Sequence, residues 1–331
     1  MPMKIPNPAT EPAVMERLLE VLEDEFSQRT FNHVAMAIAL GRANLFGGGG
    51  LTGMDAISKS RREAADKSRD SGPMMAKQYS EILRHMGLMV PVGSVTKGRY
   101  ALTPLLGILN ELISRDRDPG HWFRLFIRSV VNPCPHSMGK APSNLRPMVT
   151  GLKLMLELGG LHRDEFLIGP LTSIENDQSM EEFEGVINLI TGVRESGDIG
   201  SLNEERKGQR GMLKEGKYSK TMRLNNKANY VNWTRVPTAA FLDSNYCSNM
   251  ANRELGYANC HQTTSFSVNE DGRFGDEVLK LVSMRDFRKS ETDTFPESVR
   301  YAFIRASHYG WLQSVGFPIE NGDVDQDIEV I

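Results

Sequence analysis

The chain has 331 residues, with 39 Lys and Arg against 42 Asp and Glu and a net charge of −3. A hydrophobic content of 40% excludes a wholly disordered chain, and the length suits two or three domains with real cores. The charge balance excludes a general polycation, so any phosphate-binding surface has to be local.

No apolar run approaches the ~18 residues of a membrane span, and no charged-then-apolar signal opens the chain. Three cysteines without close spacing fit a reducing compartment better than a disulfide framework, and a cytoplasmic location is expected. Residues 57–70, "ISKSRREAADKSRD", carry five basic groups, and residues 205–227 carry eight Lys and Arg. The last twelve residues, "ENGDVDQDIEVI", hold five acids and no base.

In chain order, residues 11–42 predict two helices, with Val14, Leu18, Leu19 and Leu22 at helical spacing. "LFGGGGLTG" breaks that rhythm and reads as a connection. It lacks the Lys-Ser/Thr of a phosphate loop, because Met54 and Asp55 stand there. "GPMMAKQYSEILRHMGL" predicts a helix whose core face is Met75, Tyr79, Ile82, Leu83 and Met86, stopped by Gly87. The opposite face is expected to expose Lys77, Gln78, Ser80, Glu81 and Arg84.

"LMV" and "RYAL" read as strands flanking a basic turn with Lys97 and Arg99, and Thr103-Pro104 starts another helix. Helix, strand, wing-like turn, strand, helix is the grammar of a winged helix. "HWFRLFIRSVV", "LRPMVTGLKLMLELGGLHRDEF" and "SMEEFEGVINLITGV" predict a helical middle part without clear strands. Residues 230–290 read as a helix followed by short strands.

Near the end, "WLQSVGF" (311–317) repeats the order of apolar and polar residues in "ILRHMGL" (82–88), and Asn-Gly follows as a hairpin signal. A second winged helix with an acidic wing at 320–327 is therefore expected. The fold class expected is mainly α with small β wings: tandem winged-helix modules joined by a helical middle part. The divisions expected are 1–118, 119–228 and 229–331.

A winged helix ending "RYALTP", then "FRLFIRSVVNPCPHS" and "LRPMVTGLKLMLELGGLHRDEFLIGPLTS", resembles the recognition half of type IIS restriction endonucleases, the AlwI-like group and more distantly FokI. The resemblance covers residues 70–190 and rests on "NPCPH", "LRPM" and "GGLHRDEF". It implies tandem winged-helix modules that read an asymmetric site in double-stranded DNA, joined to a separate nuclease domain of the PD-(D/E)xK type. The chain shows no Pro-Asp followed by an acid-x-Lys pair, so the expectation is the DNA-reading part alone, a separate subunit or a truncation.

Base and phosphate contacts are expected from Lys77, Gln78, Ser80, Arg84, Lys97 and Arg99, and phosphate contacts from Lys207, Arg210, Lys214 and Lys217. Binding itself would need no cofactor; Mg²⁺ would enter with a fused or partner nuclease domain. Within this chain Asp271, Asp276, Glu277 and Lys280 are the weak catalytic candidates. Glu277 and Lys280 are three apart, whereas residues sharing a strand face are two apart. A turn and a surface-charged strand is the competing reading.

Cys134, His136, Cys247, Cys260 and His261 lack the paired short spacings of a zinc site, and no structural zinc is expected. Two alternatives stand beside DNA recognition. One is a complete Mg-dependent restriction nuclease subunit with a diverged active site, the other a winged-helix regulator or protein-interaction scaffold.

Overall fold

The computed structural model describes residues 11–48, 50–63, 71–93, 98–128, 146–170, 179–197, 227–257, 265–283, 311–313 and 316. These residues are mainly helical, with small antiparallel sheets. The chain divides into two compact units, one of residues 6–129 with 295–331 and one of residues 1–5 with 130–294. The described residues between 146 and 283 thus share one unit, across the boundary expected at 228. The segment carrying Trp311 groups with the N-terminal unit instead of residues 229–283. The acidic wing expected at 320–327 lies outside the described residues.

In the N-terminal unit, α1 (Pro12–Phe26) starts on a proline and buries Met15, Leu18, Leu19, Leu22 and Phe26 along one stripe. Fully burying each such side chain is worth roughly 2 kcal/mol. Phe31 follows and bridges Tyr100 with two backbone hydrogen bonds, 2.9 and 2.8 Å. The Asn32 side chain caps α2 (His33–Arg42) by accepting from the Ala35 N–H at 2.9 Å.

Two short antiparallel strands, β1 (Gly47–Gly48) and β2 (Leu51–Thr52), pair before α3 (Gly53–Glu63). Next come α4 (Ser71–His85), β3 (Met89–Pro91), β4 (Tyr100–Leu102), α5 (Pro104–Asp116) and α6 (Gly120–Arg128). Helix α2 packs on α3 and α4, α3 on α4, and α1 on α5.

Helix α6, "GHWFRLFIR", is buried on almost every side, as a central core helix must be. Its two buried polar side chains are matched by acids from the preceding turn. His121 Nε2 hydrogen-bonds Asp116 at 2.8 Å, and Arg124 pairs with Asp118. Trp311 packs edge-on against His121, with centroids 6.1 Å apart, under the Arg128 guanidinium at 5.5 Å. Arg115 Nη1 donates to the Gly316 carbonyl at 3.0 Å.

The second unit runs α7 (Pro147–Leu158), β5 (Leu161–His162), α8 (Arg163–Ile168), α9 (Met180–Ser196), α10 (Lys227–Asp243), β6 (Cys247–Met250), a 3-10 turn (Asn252–Leu255), β7 (Ser265–Val268) and α11 (Gly272–Ser283). A strand, β5, therefore stands in the part read as helical throughout. "GGLHRDEF" joins α7 to β5 and α8. Gly159 and Gly160 adopt φ of 71° and 146°, and a β-carbon on Gly160 would meet Met250 Sδ at 2.3 Å.

His162 Nδ1 accepts from the Asp164 N–H at 3.1 Å, while Glu165 Oε2 accepts from the His162 N–H at 2.7 Å, a capping box. Glu165 is fully buried, and its charge is met by Arg194 at 2.8 Å and by the Tyr257 hydroxyl. Arg194 also donates to the carbonyls of Leu158 at 2.9 Å and Gly160 at 2.8 Å.

The two units repeat one plan. The sheet order in the second is β5-β7-β6, with the last strand in the middle. In the first, β4 is flanked by Phe31 and β3. The registers coincide: Phe31↔Tyr100↔Pro91 in one, Leu161↔Phe266↔Asn249 in the other. Among the described residues, in each unit a helix precedes the first strand segment, three follow it, and another closes the hairpin.

Candidate nucleic-acid interface

The α4–β3–β4 segment is built from its helix stop outwards. Gly87, at φ 72°, donates to the Arg84 carbonyl at 3.0 Å, and the Leu88 N–H reaches the Leu83 carbonyl at 2.8 Å. That left-handed stop satisfies the last turn and turns the chain into β3. β4 returns antiparallel, Met89 opposite Leu102 and Pro91 opposite Tyr100. Thr103 then ties both ends to the helix, its Oγ1 donating to the Gly87 carbonyl at 2.8 Å and its N–H to the Leu88 carbonyl at 3.1 Å.

On α4 the core face is Tyr79, Ile82, Leu83 and Met86, all buried, with Met75 packed against Phe46, Ala56 and Ile57. Lys77 is 63% exposed and stands 4.0 Å from Glu81, while Gln78 and Glu81 are half-buried. Ser80 and Arg84 correct the expected exposed face: Ser80 is completely buried and Arg84 only 8% exposed. Two helices and a strand cover α4 from different sides, so the buried arc is wider than a single amphipathic stripe.

Ser80 Oγ donates to the Lys77 carbonyl at 2.8 Å and contacts His33 Nε2 at 2.8 Å. Arg84 donates to the Ser80 carbonyl at 3.4 Å and lies over the Tyr100 ring at 5.6 Å, with His33 at 4.9 Å from the same ring. Burial, then the charges of Arg84 and Lys77, lower the His33 pKa to about 4. These four residues brace α4 against β4; they do not present an open reading edge.

Arg99 is exposed at the foot of the hairpin, and Lys97 lies outside the described residues. Lys207, Arg210, Lys214 and Lys217 also lie outside them. Two further cations stand close by in the fold. Arg61 and Arg62 are exposed on α3, which packs on α4, and the basic run 57–70 already signalled them.

The catalytic candidates do not lie on a strand. Asp271 precedes α11, and Asp276, Glu277 and Lys280 stand on it, because "RFGDEVLKLV" buries Val278 and Leu281 at helical spacing. Glu277 accepts from the Tyr246 hydroxyl at 2.8 Å and from Arg273 Nε at 3.0 Å. Asp271, Asp276 and Lys280 are exposed. Among the described residues no three His, Cys, Asp or Glu side chains gather in a way that would hold a metal ion, and no helix is long and apolar enough to cross a membrane. Cys247 is buried, its thiol pKa raised by that burial, and points at Met155 Sδ at 3.6 Å.

No protein-family model and no curated protein matches the chain.

The second unit holds a further helix–hairpin segment, within the residues read as a helix followed by short strands. Helix α10 ends at Asp243, Asn245 follows at φ 64°, and the chain enters β6 as α4's enters β3. Asn269 takes the place of Thr103: its N–H donates to the Tyr246 carbonyl at 2.9 Å and its Nδ2 to the Asn245 carbonyl at 2.8 Å. The available signal was "SNYCSNM" followed by "SFSV", two short strand-like runs after a helix.

Proposed function

We propose that the chain is a sequence-specific reader of double-stranded DNA built from two winged-helix modules, one within residues 11–116 and one within 146–283. The observation that carries this reading is the repeated strand order, Phe31–β4–β3 and β5-β7-β6. In this reading α4 and α10 take the part of the helix that enters the major groove in a winged helix. The exposed cations Lys77, Arg99, Arg61 and Arg62 supply phosphate contacts in an otherwise slightly acidic protein.

The role is that of the specificity part of a type IIS-like restriction system, with phosphate-ester cleavage supplied by a fused or partner nuclease domain. A winged-helix scaffold for protein contacts is the second reading. It is favoured by Ser80 and Arg84, which are buried where a reading face would use them.

The test is selection from a random duplex library, followed by binding isotherms on selected and random duplexes at several salt concentrations, with Mg²⁺ added. One duplex should be preferred, log Kd should rise linearly with log salt, and the DNA should stay intact. Binding to no duplex would favour the scaffold. Discrete cuts lost in Asp276→Ala or Glu277→Ala would make the chain a nuclease.

A further inference from the structure

We propose that Arg235 is the second unit's counterpart of Lys77, a cation that α10 holds out to hydrogen-bond acceptors of duplex DNA. The assignment rests on the DNA-reading proposal and adds a binding residue to it. Lys77 and Arg235 each stand ten residues ahead of the left-handed residue that ends their helix, Gly87 at φ 72° and Asn245 at φ 64°.

Burial agrees at several matched positions around them, although Gln78 is half-buried where Val236 is buried and Ser80 is buried where Thr238 is half-buried. Ala76 and Thr234 are buried just before, and Tyr79 and Pro237 two residues after. Ile82 and Leu83 on one helix match Ala240 and Phe241 on the other, all at 1% exposure or less. Lys77 directly follows buried Ala76 and Arg235 directly follows buried Thr234, and both cations are exposed.

The framework behind both helices is fixed alike. The Thr103 and Asn269 side chains each donate, at 2.8 Å, to the carbonyl of the left-handed residue. A cation at one helix therefore has the same placement relative to its own hairpin as the cation at the other. A guanidinium there can take one of two kinds of acceptor, a phosphate oxygen or the N7 and O6 of guanine, which it meets bidentately.

The test compares the wild-type chain with Lys77→Ala, Arg235→Ala, Arg235→Gln, Arg235→Lys and the double alanine variant. Each is titrated with the selected duplex and with a random duplex at three salt concentrations, and each is melted to check folding. Arg235→Ala and Arg235→Gln should weaken binding roughly tenfold or more, and the two alanine losses should multiply, as for separate sites.

Loss confined to the selected duplex and not rescued by lysine marks a guanine edge. Equal loss on both duplexes, rescued by lysine and with the salt slope reduced by ~1, marks a phosphate. If Lys77→Ala weakens binding while folded Arg235→Ala and Arg235→Gln bind like wild type, the assignment falls and the DNA reading stands. If the wild-type chain binds neither duplex, both fall.

Discussion

Thr103 and Asn269 close the same hydrogen bond in the two units, each donating a side-chain hydrogen at 2.8 Å to the carbonyl of the residue that ends a helix, Gly87 or Asn245. Each bond fastens a helix end to the strand that returns to it. Thr103 is buried, so Thr103→Ala strands a carbonyl away from water and should cost about 1–2 kcal/mol. Asn245 is exposed and water can replace the lost donor, so Asn269→Ala should cost less than about 1 kcal/mol. Urea denaturation of each variant measures the difference.

The helix stops themselves make a second pair of tests. Gly87 at φ 72° has no Cβ penalty, and Gly87→Ala should destabilise by about 1–2 kcal/mol. Asn245 holds the same conformation with a side chain, so Asn245→Gly should be neutral or stabilising by up to about 1 kcal/mol. Thermal melts of the two variants should move in opposite directions or, for Asn245→Gly, not at all.

His33 makes stability depend on pH. The unfolded chain takes up its proton near 6.5 and the folded chain only near 4, so between these values the unfolded state binds more protons. Stability is fully present above 6.5 and falls as the pH drops towards 4. The full displacement corresponds to roughly 3 kcal/mol, and with the ring partly solvated about half of that is expected. Burial, then Arg124, also lower the His121 pKa, which acts in the same direction. Denaturant midpoints measured from pH 7 to pH 4 should decline, and less steeply in His33→Gln.

The ion pair of Glu165 and Arg194 is buried, with the carboxylate fully enclosed. Removing the cation leaves that carboxylate without its partner, so Arg194→Ala should cost about 3–5 kcal/mol. Glu165→Gln keeps an acceptor for Tyr257 and the His162 N–H, and should be milder. Hydrogen exchange should report the opening in α7, α8 and α9 first.

Trp311 reaches the N-terminal unit from far along the chain, packed on His121 and under Arg128. Trp311→Ala should destabilise by about 3–5 kcal/mol, the usual cost of truncating a buried tryptophan. Limited proteolysis should then cut within α5 or α6 at lower denaturant than in the wild type. An unchanged digestion pattern would show that this contact contributes nothing to the unit.

The first hairpin was legible in the sequence because each device there is local and conventional: Gly87 as the stop, Thr103-Pro104 as the restart, Tyr79, Ile82 and Leu83 at helical spacing. The second was not. Its stop is Asn245 instead of glycine, and Pro237 sits inside α10, where a proline ordinarily argues for a break. "ILRHMGLMV" and its structural counterpart "AFLDSNYCS" share no identical residue, whereas the similar "WLQSVGF" belongs to a segment grouped with the first unit. The burial of Ser80 and Arg84 was hidden for another reason. It depends on α2, α3 and β3 packing on α4 together, with the Tyr100 ring under Arg84, which no periodicity within α4 records.

The pairing of Leu161 with Phe266 bears on how the chain is made as well as on how it stands. β5 cannot enter its sheet until β7, more than a hundred residues later, has left the ribosome. α5 and α6 likewise wait for Trp311. Contacts so distant in sequence pay loop-closure entropy before they return any binding energy, which slows folding. Synthesis at about 5–20 residues per second leaves the buried faces of α6 and α7 without their late partners for several seconds or more. Protection by a chaperone at that stage should raise the soluble yield more than any change made to the finished surface.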